Sequence, residues 1–210
     1  MEQQQHEDLN SQEYQFFRRA QERDQGALAV LYERYFDRIY RYCLARIGNV
    51  NEAEDLTEEV FLRMLKAIDS FKWQPNGFEP WLFRIAHNLL VDSLRKKTYQ
   101  ITYLPILAGS VLNYPSFEEK LDQKWDEEEL AQAVGQLTVA QRDVITLRFA
   151  AGLSLAETAE ILGKQVGNVK VLQHNALIAL RRLLIEAHAR EEELWKREKQ
   201  SYLNAALTES

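Results

Sequence analysis

Apolar positions along this chain recur every three or four residues in stretches separated by turn-forming residues, the signature of amphipathic helices. Tyr14–Arg23 reads as a short helix, and Asp24 is placed to cap the next. Residues 27–47 carry Leu28, Leu31, Tyr32, Tyr35, Ile39, Tyr42 and Leu44 at helical spacing, and Gly48-Asn49 ends the run. Asn51 is then read as the cap of NEAEDLTEEVFLRMLKAI, whose Glu52, Glu54 and Asp55 suit the positive end of a helix dipole. Its apolar stripe is Leu56, Val60, Phe61, Met64 and Leu65. Residues 69–80, DSFKWQPNGFEP, form a loop, and Trp81–Lys97 returns to helix, ending in Arg95-Lys96-Lys97.

Residues 98–129 break the pattern. Tyr99–Pro115 is uncharged with two prolines, and Glu118–Glu129 is strongly acidic, so the segment reads as a linker too long for a turn inside one domain. A second helical unit follows over 130–185. Within it, Ala156, Ala159, Ile161 and Leu162 stripe a short helix, Gly163 breaks it, and Val169, Leu172, Ala176, Leu180 and Leu183 restart helical spacing at once. Two helices so closely coupled form a helix-turn-helix, whose second helix can lie in a DNA major groove. Residues 186–210 are charged, with helical character but few apolar positions. The expected fold is therefore all-α: a helical bundle over 14–97, the linker 98–129, a helix-turn-helix domain over 130–185, and a C-terminal extension over 186–210.

Composition agrees with helices, since Gly and Pro are few and Leu, Ala, Glu and Arg many. The N-terminal MEQQQHEDLNSQEYQ is polar and acidic rather than signal-like, no run reaches membrane-span length, and Cys43 stands alone. These features point to a cytoplasmic protein with no membrane insertion, no disulfide framework, and no cofactor or metal. The net charge of −6 argues against non-specific coating of nucleic acid. Its distribution is uneven: residues 71–104 and 136–185 are each +3, whereas 1–70 and 105–135 are each −5. A specific DNA reader with local basic faces is compatible with that layout.

Three stretches in order carry a resemblance: ALAVLYERYFDRIYRYCLARIGNVNEAEDLTEEVFLRMLKAI, then FEPWLFRIAHNLLVDSLRKK, then LTVAQRDVITLRFAAGLSLAETAEILGKQVGNVKVLQHNALIALRR. Together the chain resembles a bacterial RNA polymerase sigma factor of the extracytoplasmic-function group. The resemblance implies a sigma-2-like domain binding core polymerase and the −10 promoter element, and a sigma-4-like domain reading the −35 element. It implies no enzymatic activity. The implied partners are the core enzyme (clamp helices of its largest subunit and the flap of the second), promoter DNA and an anti-sigma protein. A helix-turn-helix regulator that binds DNA without joining polymerase is the alternative, and it leaves the first unit unused.

Site expectations follow segment by segment. Asp55, Leu56, Glu59 and Phe61 match the clamp-binding segment; Leu56 and Phe61 equally suit plain core, whereas core packing does not explain the two acids. Trp81, Arg84, Asn88, Asp92 and Arg95 are spaced by three or four and so share a helix face, with Lys96 beside them. Basic, amide and aromatic groups together suit a melting DNA strand, with phosphates held by charge and a base against an aromatic wall. By resemblance, the loop between Phe71 and Phe78 holds the flipped base. Trp81 is also explained as core.

In the second unit, Gln165, Asn168, Lys170, Val171, His174 and Asn175 open the recognition helix, and Arg142, Arg148, Lys164, Arg181 and Arg182 are phosphate candidates. The family pattern is close to GTVKSRLxRARxxL, but this chain has GNVKVLQHNALIAL, placing Leu172, Asn175 and Leu177 where arginines are frequent. A less basic −35 surface is expected from this. An enzymatic reading through His87 with Asp92 or Cys43 is poorly supported by spacing. The tail after Glu186 either extends as a charged helix or folds back through Leu194, Trp195, Tyr202, Leu203 and Leu207.

Overall fold

The computed structural model describes residues 14–74, 76–96 and 127–208. The linker expected over 98–129 lies outside these residues apart from its last three positions, which already belong to a helix. The described residues form α1 (residues 14–21), α2 (Gln25–Ile47), α3 (Val50–Ala67) and α4 (Glu79–Lys96), then α5 (Glu127–Gly135), α6 (Val139–Ile145), α7 (Leu155–Leu162) and α8 (Val166–Thr208). Among them no residue is in a strand.

Local chemistry sets the ends of these helices. Asp24 accepts the Ala27 N–H at 2.9 Å and starts α2, and Gly48, at φ 72°, ends it by donating its N–H to Leu44 O. The cap of α3 is Asn49, whose side chain accepts the Glu52 N–H at 3.1 Å, rather than the expected Asn51. The left-handed turn at Gly48 leaves Asn49 extended (φ −125°, ψ 124°), so the helix begins two residues early and Asn51 falls in its first turn. Reciprocal capping boxes start α6 (Thr138 with Gln141) and α7 (Ser154 with Glu157), and left-handed Gly163 ends α7.

The first unit closes around Phe17, Leu31, Tyr35, Ile39, Tyr42, Val60, Met64, Phe78, Leu82 and Phe83. The second packs Leu130, Val134, Leu137, Ile145, Ala176, Leu180 and Leu184, with Val144, Ala159 and Val169 between the helices of the helix-turn-helix. These cores meet. Leu147, Ala151, Leu153 and Ile161 of the second unit are buried in the core of the first, while Ala45 of α2 packs into the second. A widened turn over Thr146–Ala150, with the Ala151 N–H donating to Thr146 O at 3.1 Å, carries α6 into this seam.

Polar groups line the same seam. Arg46 Nη1 donates to Asp143 Oδ1, with Arg46 only 3% and Asp143 9% exposed. Arg38 makes a two-pronged pair with Glu79 (2.8 Å from Nη1 to Oε2) and donates from Nε to Ala151 O at 2.8 Å. The α8 helix runs unbroken for 43 residues, so the second helix of the helix-turn-helix and the tail are one element. Leu194 and Trp195 stay 58% and 61% exposed and so make no fold-back contact, while the side chains of Tyr202, Leu203 and Leu207 lie outside the described residues.

Replacing Asp143 by Ala leaves a buried guanidinium without its carboxylate, a penalty on the order of 3–5 kcal/mol while the seam stays closed. Separating the units rehydrates Arg46 and relieves that penalty. The expected result is a larger radius of gyration by small-angle scattering, with Arg46→Met/Asp143→Leu remaining compact. An unchanged radius and an unchanged Tm in Asp143→Ala would show that the pair does not hold the seam.

Candidate polymerase and nucleic-acid interfaces

On α3 the sequence-derived candidates separate by burial. Asp55 is exposed and Glu59 half-exposed, its Oε1 accepting from Arg63 Nε at 2.9 Å. Leu56 packs at the edge of the core, and Phe61 is buried within it, 4.7 Å between ring centres from Tyr32. Phe61 therefore acts from inside the domain in this conformation. Leu62, absent from the sequence-derived set, is 49% exposed and lies one full heptad from Asp55, on the face shared with Glu58 and Glu59. The spacing of seven from Asp55 was the available signal, but the neighbouring apolar stripe obscured it.

The α4 face assembles as expected. Arg84, Asn88, Asp92 and Arg95 are exposed along one side, while the Lys96 side chain lies outside the described residues. Trp81 is half-buried, wedged against Phe71 at 4.7 Å and Phe78 at 5.3 Å between ring centres. Its first task is to hold the loop ends together. Phe71 and Phe78 are buried anchors, between which Lys72, Gln74 and Asn76 are exposed. Gly77, at φ 79°, reverses the chain in a conformation that disfavours side chains. Arg84 and Asn76 do not stand free: both reach Glu160 on α7, at 2.8 Å (Arg84 Nη2 to Glu160 O) and 2.6 Å (Asn76 Nδ2 to Oε2). No sequence signal announced Glu160.

Along the first turns of α8, Gln165, Asn168, Lys170, Val171, His174 and Asn175 are all exposed, Val171 by 58%. Lys164 precedes them on the surface. Arg142 and Arg148 are engaged within the domain instead. Arg142 Nη2 donates to Leu137 O at 2.8 Å, and Arg148 donates to Gln173 Oε1 at 2.9 Å and to Leu153 O. Both brace the helix-turn-helix from behind. Arg181 is half-buried, and exposed Arg182 lies 3.8 Å from Glu186.

The departures from the family pattern look different in three dimensions. Leu177 is buried in the second core and Leu172 packs against Val144, Ala159 and Val169, so only Asn175 replaces an exposed cation. The recognition surface has lost less charge than the sequence alone implies.

His87, Cys43 and Asp92 form no reactive group. His87 Nδ1 is 2.9 Å from the buried Tyr42 hydroxyl, and Asp92 is exposed on the outer face of α4. Burial pushes the Cys43 thiol up to about 12, and it raises the Tyr42 phenol as well. Among the described residues no helix is long and apolar enough to cross a membrane.

The family profile for Sigma-70 region 2 matches residues 31–99 and that for Sigma-70, region 4 matches residues 127–180. The chain is 39% identical over 170 residues to the ECF RNA polymerase sigma factor BldN of Streptomyces coelicolor, covering 79% of this chain and 63% of BldN. It is 37% identical over 174 residues to the ECF RNA polymerase sigma factor SigW of Bacillus subtilis, covering 77% of this chain and 90% of SigW. It thus spans less than two thirds of BldN but nearly all of SigW. The fold is similar to that of CnrH solved in complex with the cytosolic domain of CnrY, with a TM-score of 0.59 and 23% identity over 81% of this chain and 96% of that one.

His87 yields a pH prediction. Burial holds its pKa below the ordinary 6.5, with Arg46 lowering it further and Asp143 opposing. It therefore stays neutral in the folded chain while the unfolded chain takes up a proton. Its contribution to stability is intact above pH 6.5 and is lost as pH falls below that value. Urea denaturation at neutral and mildly acidic pH should show a steeper loss in the parent than in His87→Gln. Parallel curves would remove His87 from the account.

Proposed function

Because the chain belongs to the extracytoplasmic-function group of RNA polymerase sigma factors, we propose that it docks on core polymerase through the outer face of α3 and reads promoter DNA at two separate points. As a sigma factor it directs the core enzyme to promoters for transcription initiation and is not an enzyme. Residues 14–97 serve as the core-binding and −10 unit, 98–126 as the connecting linker, and 127–185, which include the helix Glu127–Gly135, as the −35 unit. The observation that carries this reading is that Asp55, Glu58 and Leu62 on α3, Asn88, Asp92 and Arg95 on α4, and Asn168, Lys170, Val171, His174 and Asn175 on α8 are solvent-exposed and outside the core of their own unit.

Asp55, Glu58, Glu59 and Leu62 offer a mixed acidic and apolar strip, the composition that suits docking against a pair of helices on the clamp. The α4 face and the loop before it receive the opening strand. Strand separation is driven by capture of unstacked bases and needs no nucleotide hydrolysis. Asn168, Lys170, Val171, His174 and Asn175 enter the major groove of the −35 element, with Lys164 and Arg182 on phosphates. An anti-sigma protein is the regulatory partner expected of this family, and its site of action, like that of the polymerase, is the bacterial cytoplasm.

Reconstituted transcription with core polymerase over a randomised promoter library tests this directly. Asp55→Lys/Glu59→Lys should weaken core binding by about tenfold or more, as the acidic strip proposed to dock is reversed in charge. Lys170→Ala or His174→Ala should leave core binding intact while changing the selected promoters, each lost base contact being worth about 1–3 kcal/mol. No selected promoter together with no core binding would instead favour a regulator that acts without polymerase.

A further inference from the structure

Glu160 occupies an unusual position. It lies in the last turn of α7, where the helix dipole opposes negative charge, and it is directed at the DNA-reading side of the other unit. Its Oε2 accepts from Asn76 Nδ2 at 2.6 Å, and its Oε1 lies 3.6 Å from Arg84 Nη2. The same Arg84 nitrogen donates to the Glu160 carbonyl at 2.8 Å, a helix-end carbonyl that also accepts the Gly163 N–H at 3.3 Å. Two oxygens of one anionic group therefore face one guanidinium and one amide donor. A phosphodiester presents its two non-bridging oxygens in the same manner.

The donors belong to the surface assigned above to the opening promoter strand: Arg84 from the exposed side of α4, Asn76 from the loop between Phe71 and Phe78. We propose that Arg84 and Asn76 form a phosphate-binding pair for the promoter strand, and that the Glu160 carboxylate fills it in the closed molecule, so that closure of the two units and strand binding exclude one another. This rests on the promoter-reading assignment of α4.

The geometry of a promoter demands such an exchange. Elements centred near −10 and −35 are separated by about 25 base pairs, roughly 85 Å of duplex. Hydrogen bonds from α4 and its loop to α7 keep the two reading surfaces within about one small domain's width of each other, roughly 30 Å. The closed chain therefore cannot occupy both elements. Opening frees Arg84 and Asn76 at the moment the strand requires them. The Arg84–Glu160 pair is well suited to exchange, since Arg84 is 46% and Glu160 28% exposed at the side chain, and a polyanion can reach it from solvent.

The test uses the full chain and a fluorescein-labelled oligothymidylate, read by anisotropy at low salt. Glu160→Gln, with Glu160→Ala as a second variant, should bind about 3- to 10-fold more tightly than the parent, because the carboxylate no longer competes with a phosphate for Arg84 and Asn76 even though the seam and the Arg84 bond to the Glu160 carbonyl remain. Glu22→Gln, an exposed acid outside the seam, corrects for the change in net charge. Adding Arg84→Ala to Glu160→Gln should abolish the gain. In parallel, donor and acceptor dyes at Arg41→Cys and Ala156→Cys, with Cys43 buried and unlabelled, should report lower energy transfer when oligothymidylate is added. Equal affinities for Glu160→Gln and Glu22→Gln, or a gain that survives Arg84→Ala, would overturn the proposal. If the sigma assignment itself failed, every variant would lack core binding in a separate pull-down, whatever the oligonucleotide result.

Discussion

The buried Arg46–Asp143 pair is the interaction on which the arrangement of this chain turns. Arg46 sits in the last turn of α2 and Asp143 in α6, so the bond joins the two helical units where their cores meet. Ala45 beside it has no side chain large enough to keep α6 away, and the buried Leu147, Ala151 and Leu153 complete the apolar part of the seam. An ion pair taken out of water gains little net stability, because the lost hydration nearly cancels the attraction. Arg46 Nε, moreover, meets no acceptor among the described residues. Such a seam is specific without being permanent: if the units separate, both charges regain water, whereas a closed seam with one partner missing is heavily penalised.

Around that pair, several side chains serve two settings. Arg38 holds Glu79 within the first unit and Ala151 O across the seam, over the ring of Phe83. Arg84 and Asn76 lie on the side of α4 proposed to receive the promoter strand, and both meet Glu160 of the other unit. Arg148 and Arg142, by contrast, spend their donors on carbonyls and Gln173 inside the second unit, which holds the recognition helix at a set angle. Cations near the second helix of the helix-turn-helix therefore divide into those that brace it and those that project from it, and residue type does not distinguish them.

Much of the local architecture was legible in the chain. Asp24, Gly48 and Gly163 mark helix ends by their own conformational preferences, and the apolar stripes of α2, α3 and α8 named part of the core, Leu31, Tyr35, Ile39, Val60, Met64, Val169 and Leu180 among it, although Tyr32 is exposed. The cap of α3 was misplaced by two residues because Asn49 and Asn51 are chemically alike; only the left-handed Gly48 decides between them. Leu56 and Phe61 were ambiguous for a different reason. Periodicity reports that a position lies on an apolar face, but not whether that face meets the core or a partner.

What the sequence determined by itself is what depends on neighbours along the chain: helix content, the cap residues, the helix-turn-helix spacing, and the exposed first turns of α8. The ordered motifs also sufficed to place the chain in its family. Only the tertiary structure decided how the two units meet, that Glu160 takes up Arg84 and Asn76, and that α8 continues straight into the tail. The first two are contacts between residues 76 to 97 positions apart in the chain, across a linker whose composition carries no record of what it brings together. Periodicity and capping act within a few residues, so pairings such as Arg46 with Asp143 emerge only when two finished surfaces are set face to face.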